Sequence, residues 1–342
     1  MRSNNRSRLV RGYAVILFVL ALPTIAASSL DNLFKEGEQE AKLDGEDRVA
    51  IIEAVITEMH EYYNRPEVAV ELEKMLRRNL DKGEYRRFTK LDPFIRKLTQ
   101  DLRSISNDRH MGVWPYDPAY EDEELTDEQK QAMLTKQKHE NFGFVQVSWL
   151  PGNIGYLELH WFADAAVAGS TAVAAMNFLA NSDVLIIDLR KNSGGSGNMV
   201  NLICSYLFEE PKLSISMYSR FNDQTRQGWT RSFVPGRRMT DIPVYVLISG
   251  RTASAAEHMS YFLQAEKRAT IVGSTSRGAA NPCEYRNYPD LSISIQIPAY
   301  KATNPITGKD WEGTGVKPDI AVSAEQALDV ACKEAAKLLA ED

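Results

Sequence analysis

The chain has 342 residues, of which 44% are hydrophobic and 25% charged, a composition typical of a globular protein with one large or two modest domains. Its formal net charge of −6 argues against nucleic acid or an anionic membrane surface as the main partner, because neither attracts an acidic protein. The sequence contains no CxxC, HExxH or P-loop motif, which removes the strongest signals for structural zinc, zinc-dependent hydrolysis and nucleotide hydrolysis. We therefore expect no metal and no cofactor.

Residues 1–27 have the organisation of a secretory signal peptide. An apolar stretch at 13–22 and a small-residue region at 24–27 follow four arginines, which are Arg2, Arg6, Arg8 and Arg11. The apolar stretch, at about ten residues, is too short to span a bilayer. The sequence therefore predicts a protein exported to the periplasm or the medium, with no integral membrane span after cleavage. The 3 cysteines are an odd number and imply no disulfide scaffold.

Residues 28–112 predict a small N-terminal three-helix bundle. Apolar side chains recur at steps of three and four residues over 49–63, 68–80 and 94–105. The third helix has a start signal at Asp92-Pro93, a capping residue followed by proline. Residues 113–141 then form an acidic linker with one exposed helix, for which Thr126 and Gln129 have capping-box spacing.

From residue 142 the pattern changes to strands that alternate with helices. Residues 144–150 and 154–159 flank the turn Pro151-Gly152-Asn153, which predicts a hairpin. An alanine-rich helix over 163–180 leads into a buried strand at 184–189, and an amphipathic helix over 324–339 closes the chain. The alternation predicts an α/β domain over 142–342, with helices on the faces of its sheet.

The segment VYVLISGRTASAAE, residues 244–257, predicts a buried strand, a small-residue turn and the start of a helix. Ser254 falls in that turn, where Gly250 permits a sharp bend and Ala253 and Ala255 leave the hydroxyl uncrowded. The backbone N–H groups of the new helix would point at an oxyanion formed beside such a serine. The competing interpretation is that Ser254 only caps the helix.

The glycine-rich segment RKNSGGSGN, residues 190–198, follows the strand that ends at Leu189. A dinucleotide-binding loop would require a third glycine where the chain has Val200. Two interpretations remain: a plain tight turn, or a loop whose Gly194 and Gly195 N–H groups complete an oxyanion hole facing Ser254.

A serine nucleophile requires a base, and the chain has 5 histidines. His60, His139 and His160 fit surface or boundary positions, and His258 lies one turn along the helix from Ser254, directed away from it. His110, in NDRHMGV, lies where the helices give way to an extended segment. A lone loop histidine is most often inert, and Glu312, in WEGTGV, is only a weak candidate on local grounds.

Taken together, four segments resemble the tail-specific, or C-terminal processing, serine peptidase family. They are NDRHMGV, LIIDLRKNSGGSGN, VYVLISGRTASAAE and NPITGKDWEGTGVKPDI. The branch that this chain most resembles includes interphotoreceptor retinoid-binding protein and tricorn-type proteases. The resemblance covers residues 45–335 and implies a crotonase-like (ClpP-like) spiral fold for the domain after the helices.

The same resemblance assigns roles to residues. It implies that Ser254 is the nucleophile, and that the amides of Ala255, Gly194 and Gly195 bind the oxyanion. The processing peptidases use a lysine base in a downstream loop, but here that position holds Ala279, and Arg277 cannot act as a base because its guanidinium stays protonated. The retinoid-binding and tricorn branch instead implies histidine and glutamate, which match His110 and Glu312.

Two functions follow from this resemblance. The first is an exported serine peptidase that cleaves a peptide or protein substrate through an acyl-enzyme, without a PDZ domain. The second is a binding module that holds a hydrophobic ligand, a retinoid or fatty acid, on the same fold. The intact set of Ser254, His110 and Glu312 favours the first, because a carrier does not require it. The sequence does not determine the oligomeric state.

Overall fold

The computed structural model describes residues 43–116 and 126–341, so the predicted signal peptide lies outside the described residues. The helices are α1 (Gly45–Tyr62), α2 (Pro66–Asp81), α3 (Leu91–Ser106), α4 (Asp127–His139), α5 (Ala165–Leu179), α6 (Gly197–Cys204), α7 (Ala255–Ala265) and α8 (Ala327–Glu341). The strands are β1 (Gly112–Pro115), β2 (Phe144–Leu150), β3 (Ile154–Leu159), β4 (Val184–Asp188), β5 (Leu213–Ser219), β6 (Gln224–Trp229), β7 (Val244–Ile248), β8 (Thr270–Gly273), β9 (Cys283–Tyr288), β10 (Ile293–Pro298), β11 (Tyr300–Thr303) and β12 (Ile320–Ala321). Within the described ranges, no helix is both long enough and apolar enough to cross a bilayer.

A six-stranded sheet forms the centre of the C-terminal part, with the strand order β12-β8-β7-β4-β3-β2. The strands run parallel except at the predicted hairpin of β2 and β3, which is confirmed. Every residue of β4 and β7 is buried, because helices cover both faces of the sheet. Helices α5, α6 and α7 pack on one face, and α8 packs on the other through Ala327, Ala331 and Ala335. The protein is therefore of the mixed α/β class, as predicted.

The alternation of strand and helix does not continue to the end of the chain, and that part of the prediction was wrong. After α6, strands β5 and β6 pair as an antiparallel hairpin, and β9 and β10 form another. The loop between β5 and β6 contains only residues 220–223. A connection this short allows only antiparallel pairing, because a parallel neighbour requires a crossover of a dozen or more residues.

The three N-terminal helices share their core with strands from the other half of the chain. Their apolar faces pack together with Val113 of β1 and with Ile293, Ile295 and Ile297 of β10. Strand β10 pairs with β9 and also with β1, which lies at the start of the predicted linker. The division into a helical region at 28–112, a linker at 113–141 and a peptidase domain at 142–342 stays a prediction.

The starts of α4 and α3 test the capping residues that the sequence predicted. Helix α4 begins with the predicted capping box of Thr126 and Gln129, and it has no buried residue. Helix α3 begins at Leu91, with Lys90 in the capping position and no side-chain cap. Asp92 therefore lies inside the first turn, where its charge suits the positive end of the helix dipole, and its prediction as the cap was wrong.

Candidate active site

Ser254 lies at the junction of β7 and α7, where the structure confirms the predicted strand, turn and helix start. Its neighbours Ala253, Ala255 and Ala256 are buried, whereas Ser254 itself is partly accessible. The backbone of Ser254 has φ +56° and ψ −119°. A residue that only caps a helix normally has extended backbone angles, and a positive φ costs energy for any residue with a side chain.

The glycine-rich loop lies directly against this turn. A Cβ built on Gly194 would come within 2.8 Å of the Ser254 Cβ and 3.3 Å of its Oγ, and Gly194 has φ +116°. Only glycine fits such a position, for reasons of both space and backbone angle. The loop is fixed by Asn192, which is fully buried and whose Oδ1 accepts from the Gly194 N–H at 2.8 Å. In the described part of the chain, the N–H groups of Gly195 and Ala255 have no hydrogen-bond partner.

Glu257 connects the serine turn to the loop of residues 276–281. Its carboxylate is fully buried and accepts from the N–H groups of Ser254 at 2.9 Å, Gly278 at 2.6 Å and Ala279 at 2.9 Å. The Ser276 hydroxyl donates a fourth hydrogen bond at 2.5 Å. Burial raises the pKa of Glu257 to about 7, although the four donors oppose this shift by stabilising its anion.

Glu312 accepts hydrogen bonds from the other end of the same loop. Its Oε2 accepts from the N–H groups of Ala280 at 2.6 Å and Asn281 at 3.1 Å, and its Oε1 accepts from the N–H of Arg109 at 3.0 Å. These bonds join the loop at 276–281 to the segment that carries His110. Burial raises the pKa of Glu312 above its usual value, while the three N–H groups act in the opposite direction.

His110 lies beside two carboxyl groups. A nitrogen of its ring, one oxygen of Glu312 and one oxygen of Asp108 all lie within 4.8 Å of one another. The Nδ1 atom of His110 is buried and has no hydrogen-bond partner in the described part of the chain. Burial, together with the guanidinium groups of Arg277 and Arg103, lowers the pKa of His110 to about 4. The imidazole is therefore neutral at pH 7, the form that can accept a proton.

None of the other four histidines belongs to the cluster of His110, Asp108 and Glu312. His60 and His139 are exposed, and His160 pairs with Glu158 at the end of β3. His258 is buried and stacks on Trp311, with ring centroids 6.4 Å apart and planes 2° from parallel. Burial lowers its pKa to about 4.

Sequence reasoning missed three residues of the site, which are Asn192, Asp108 and Glu257. Local signals existed for all three. Ser254 and Glu257 have the spacing of a capping box. Asp108 and Asn192 each lie two residues before the backbone N–H that they accept, His110 and Gly194, which is the spacing of an Asx turn.

Two family models match the chain. One, described as peptidase family S41, matches residues 153–322, and the other, described as the N-terminal domain of peptidase S41 in eukaryotic IRBP, matches residues 46–145. The first contains Ser254, Gly194 and Glu312, and the second contains His110. The chain belongs to peptidase family S41.

Individual relatives agree with this assignment. A carboxyl-terminal-processing protease of Picosynechococcus is 28% identical over 175 residues, which are 50% of this chain and 40% of that protein. The chain therefore matches about two fifths of that relative's length. Among solved structures, mature CPAF is 12% identical with a TM-score of 0.59, over 87% of this chain and 98% of that one. The tricorn protease is 11% identical with a TM-score of 0.53, over 87% of this chain and 37% of that one. At such identities the structural similarity concerns the fold alone.

Proposed function

We propose that this protein is an exported serine peptidase that hydrolyses peptide bonds through an acyl-enzyme. Ser254 is the nucleophile, His110 is the general base, and Glu312 holds the histidine. The substrate is a peptide or protein. The finer fold assignment, a crotonase-like domain behind a three-helix bundle, belongs to the same proposal and rests on the resemblance of the sequence motifs.

The observation that carries the proposal is the backbone of Ser254. Its φ of +56° at a strand-to-helix turn costs energy that a helix cap does not require. The same geometry leaves the serine partly accessible and directs the first turn of α7 toward it. Strain of this kind is typical of a nucleophile held at a sharp strand-to-helix turn.

The oxyanion hole is assigned to the N–H groups of Gly195 and Ala255. The Gly194 N–H already donates to Asn192, so Gly194 contributes by permitting the close approach of its loop to Ser254 rather than by donating to the oxyanion. These two N–H groups, which have no hydrogen-bond partner in the described part of the chain, would provide the pair of donors that a tetrahedral intermediate requires.

The base is a half-buried, neutral imidazole. As His110 takes the Ser254 proton it becomes positively charged, and the nearby carboxylate of Glu312 stabilises that charge. The low pKa of His110, about 4, implies that activity falls on acidification at a lower pH than for an exposed histidine. Below that pKa the imidazole is protonated before substrate arrives and cannot act as a base.

Labelling with a fluorophosphonate probe at about pH 8 tests the proposal, because such probes require an activated serine beside an oxyanion hole. We expect the wild-type protein to be labelled, and Ser254→Ala and His110→Ala to lose roughly three powers of ten in rate. Ser104→Ala and His139→Ala are matched controls at exposed positions.

Equal labelling of the wild-type protein and both variants would contradict the proposal. A folded protein that never reacts would instead favour the second function, a carrier of a hydrophobic ligand. In that case, a fluorescent fatty ligand should bind to the wild-type protein and to Ser254→Ala with the same affinity, because a carrier does not use the hydroxyl.

A further inference from the structure

Asp108 is a fully buried acid beside the proposed base, and no role for it follows from the mechanism above. Its side chain has 0% exposure. Its Oδ1 accepts from the His110 backbone N–H at 3.1 Å, and its Oδ2 accepts from the Asn281 amide at 3.3 Å. One of its oxygens lies within 4.8 Å of both the His110 ring and the Glu312 carboxylate.

We propose that Asp108 is a second acidic positioning residue for His110, and that Asp108 and Glu312 hold one proton between them. This inference rests on the proposed function for its catalytic meaning, but the arrangement of the three side chains is independent of it.

The first support for this proposal is electrostatic. Two carboxylates this close, one fully buried and the other half-buried, repel each other strongly, so removal of the second proton is disfavoured. Burial, and then the charge of Glu312, raise the pKa of Asp108 to about 7, and burial raises that of Glu312. Among the described residues, a single cation approaches Asp108 within ion-pair distance, since an Arg65 nitrogen lies 3.8 Å from its Oδ2. That guanidinium also donates to the Ser106 carbonyl at 2.5 Å.

The second support is the unequal solvation of the two acids. Glu312 accepts from three backbone N–H groups, whereas Asp108 accepts from one. Hydrogen bonds to a carboxylate stabilise its charged form, so Glu312 keeps the negative charge and Asp108 keeps the proton. Once Asp108 loses this proton, its carboxylate can accept a hydrogen bond from the buried Nδ1–H of His110, which has no partner in the described part of the chain, and the other ring nitrogen is then free to act as the base.

Other titratable or charged side chains also act on this cluster. Besides Glu312, the groups that act on Asp108 or sense its charge are Arg65, Arg103, Tyr63 and Cys283. Arg103 and Arg277 act on His110. Asp310 acts on Glu312, and Tyr63 and Cys283 also sense the charge of Glu312. Among all these charged groups and Glu312, Glu312 is the one acid that lies within 4.8 Å of both Asp108 and His110.

The proposal predicts a titration near neutral pH that belongs to the carboxyl pair and not to the histidine. Loss of the shared proton adds a negative charge beside His110 and makes the imidazole more basic. The rate of fluorophosphonate labelling should therefore rise severalfold through about pH 7, and the ring nitrogen shifts of His110 should move over the same range.

The test compares the wild-type protein with Asp108→Asn, which keeps an acceptor oxygen for the His110 N–H but has no ionisable group. With 15N-labelled histidine, the His110 shift near pH 7 should vanish in Asp108→Asn, and so should the rise in labelling rate. Asp101→Asn is the matched control, because Asp101 accepts from Tyr85 at 2.9 Å in the helical region. A step near pH 7 that persists in Asp108→Asn would overturn the proposal.

A measurement on the wild-type protein covers the case in which Asp108→Asn does not fold. With aspartate labelled at its carboxyl carbon, one signal should titrate near neutral pH. The proposal is wrong if every aspartate titrates below about pH 5. Both nuclear resonance experiments are independent of Ser254 reactivity, so an unlabelled serine would contradict the proposed peptidase without deciding the question of the shared proton.

Discussion

At the scale of single residues, the site depends on positions where one atom more or less changes the chemistry. Gly194 and Gly195 both have positive φ values, +116° and +133°, and a Cβ on Gly195 would lie 2.2 Å from the Phe162 carbonyl oxygen. Neither glycine could be replaced without moving backbone. Asn192 completes the loop by accepting one N–H and donating to the Leu159 carbonyl at 3.1 Å.

Gly194→Ala should remove the reactivity of Ser254 while Gly197→Ala should not. The added methyl group at 194 would overlap the Ser254 Cβ at 2.8 Å, whereas a Cβ at 197 meets no atom within 4 Å. We expect at least a 100-fold loss of fluorophosphonate labelling for Gly194→Ala, because the nucleophile or the oxyanion donors must shift. Unchanged labelling in a folded Gly194→Ala protein would refute the close approach of the two loops.

At the scale of elements, one loop is held between two carboxylates, of which Glu257 is buried and Glu312 half-buried. The N–H groups of Gly278 and Ala279 donate to Glu257, and those of Ala280 and Asn281 donate to Glu312. Glu257 belongs to α7 and receives the Ser254 N–H, while Glu312 receives the Arg109 N–H. The loop therefore links the element that carries the serine to the segment that carries the histidine.

Glu257→Gln should loosen this link. A glutamine keeps one acceptor oxygen but turns an NH2 group toward backbone donors, which leaves buried N–H groups unpaired. We expect the free energy of unfolding to fall by about 2–4 kcal/mol, together with a loss of labelling rate. Chemical denaturation measures the first effect. Glu266→Gln is the control at the other end of α7, where Glu266 pairs with Lys212 at 3.3 Å near solvent. Equal destabilisation by the two changes would argue against a special role for Glu257.

At the scale of the whole molecule, four buried titratable groups affect stability in opposite directions. Burial raises the pKa of Asp108 and Glu257 to about 7, so the stability they contribute is present below their unfolded values and is lost as the pH rises toward 7. Burial lowers the pKa of His110 and His258 to about 4, so their contribution is present above about pH 6.5 and is lost as the pH falls toward 4. Between pH 4 and 7 these contributions oppose one another.

The substitution His258→Leu should separate the contribution of His258 to stability from the contributions of the two acids. In the unfolded chain His258 takes up a proton below about pH 6.5, but the folded protein keeps it neutral to about pH 4. Acidification from pH 8 to pH 5 should therefore cost the wild-type protein about 2 kcal/mol more than it costs the variant. Denaturation curves at both pH values, with His139→Leu as an exposed control, measure this difference. The same pH dependence in His258→Leu as in the wild-type protein would show that His258 is not the group responsible.

Much of the local structure follows from the sequence by itself. The strand at 244–248, the hairpin at 144–159, the capping box at Thr126 and the turn that holds Ser254 were all predicted, because burial periodicity and turn residues act over a few neighbouring positions. The sequence motifs also indicated the family. The antiparallel hairpins after α6 were missed, since pairing direction depends on loop length and on partners elsewhere in the fold.

Only the tertiary structure decided which side chains meet. The Arg109 N–H reaches the Glu312 carboxylate from a position 203 residues away, and this contact brings His110 beside two acids. The Asn192 side chain donates to the Leu159 carbonyl, 33 residues away, and Glu257 joins the serine turn to a loop about twenty residues further along the chain. Such contacts are determined by long-range packing and by the need of buried polar groups for partners, and neither can be read from residues that are close together in the sequence.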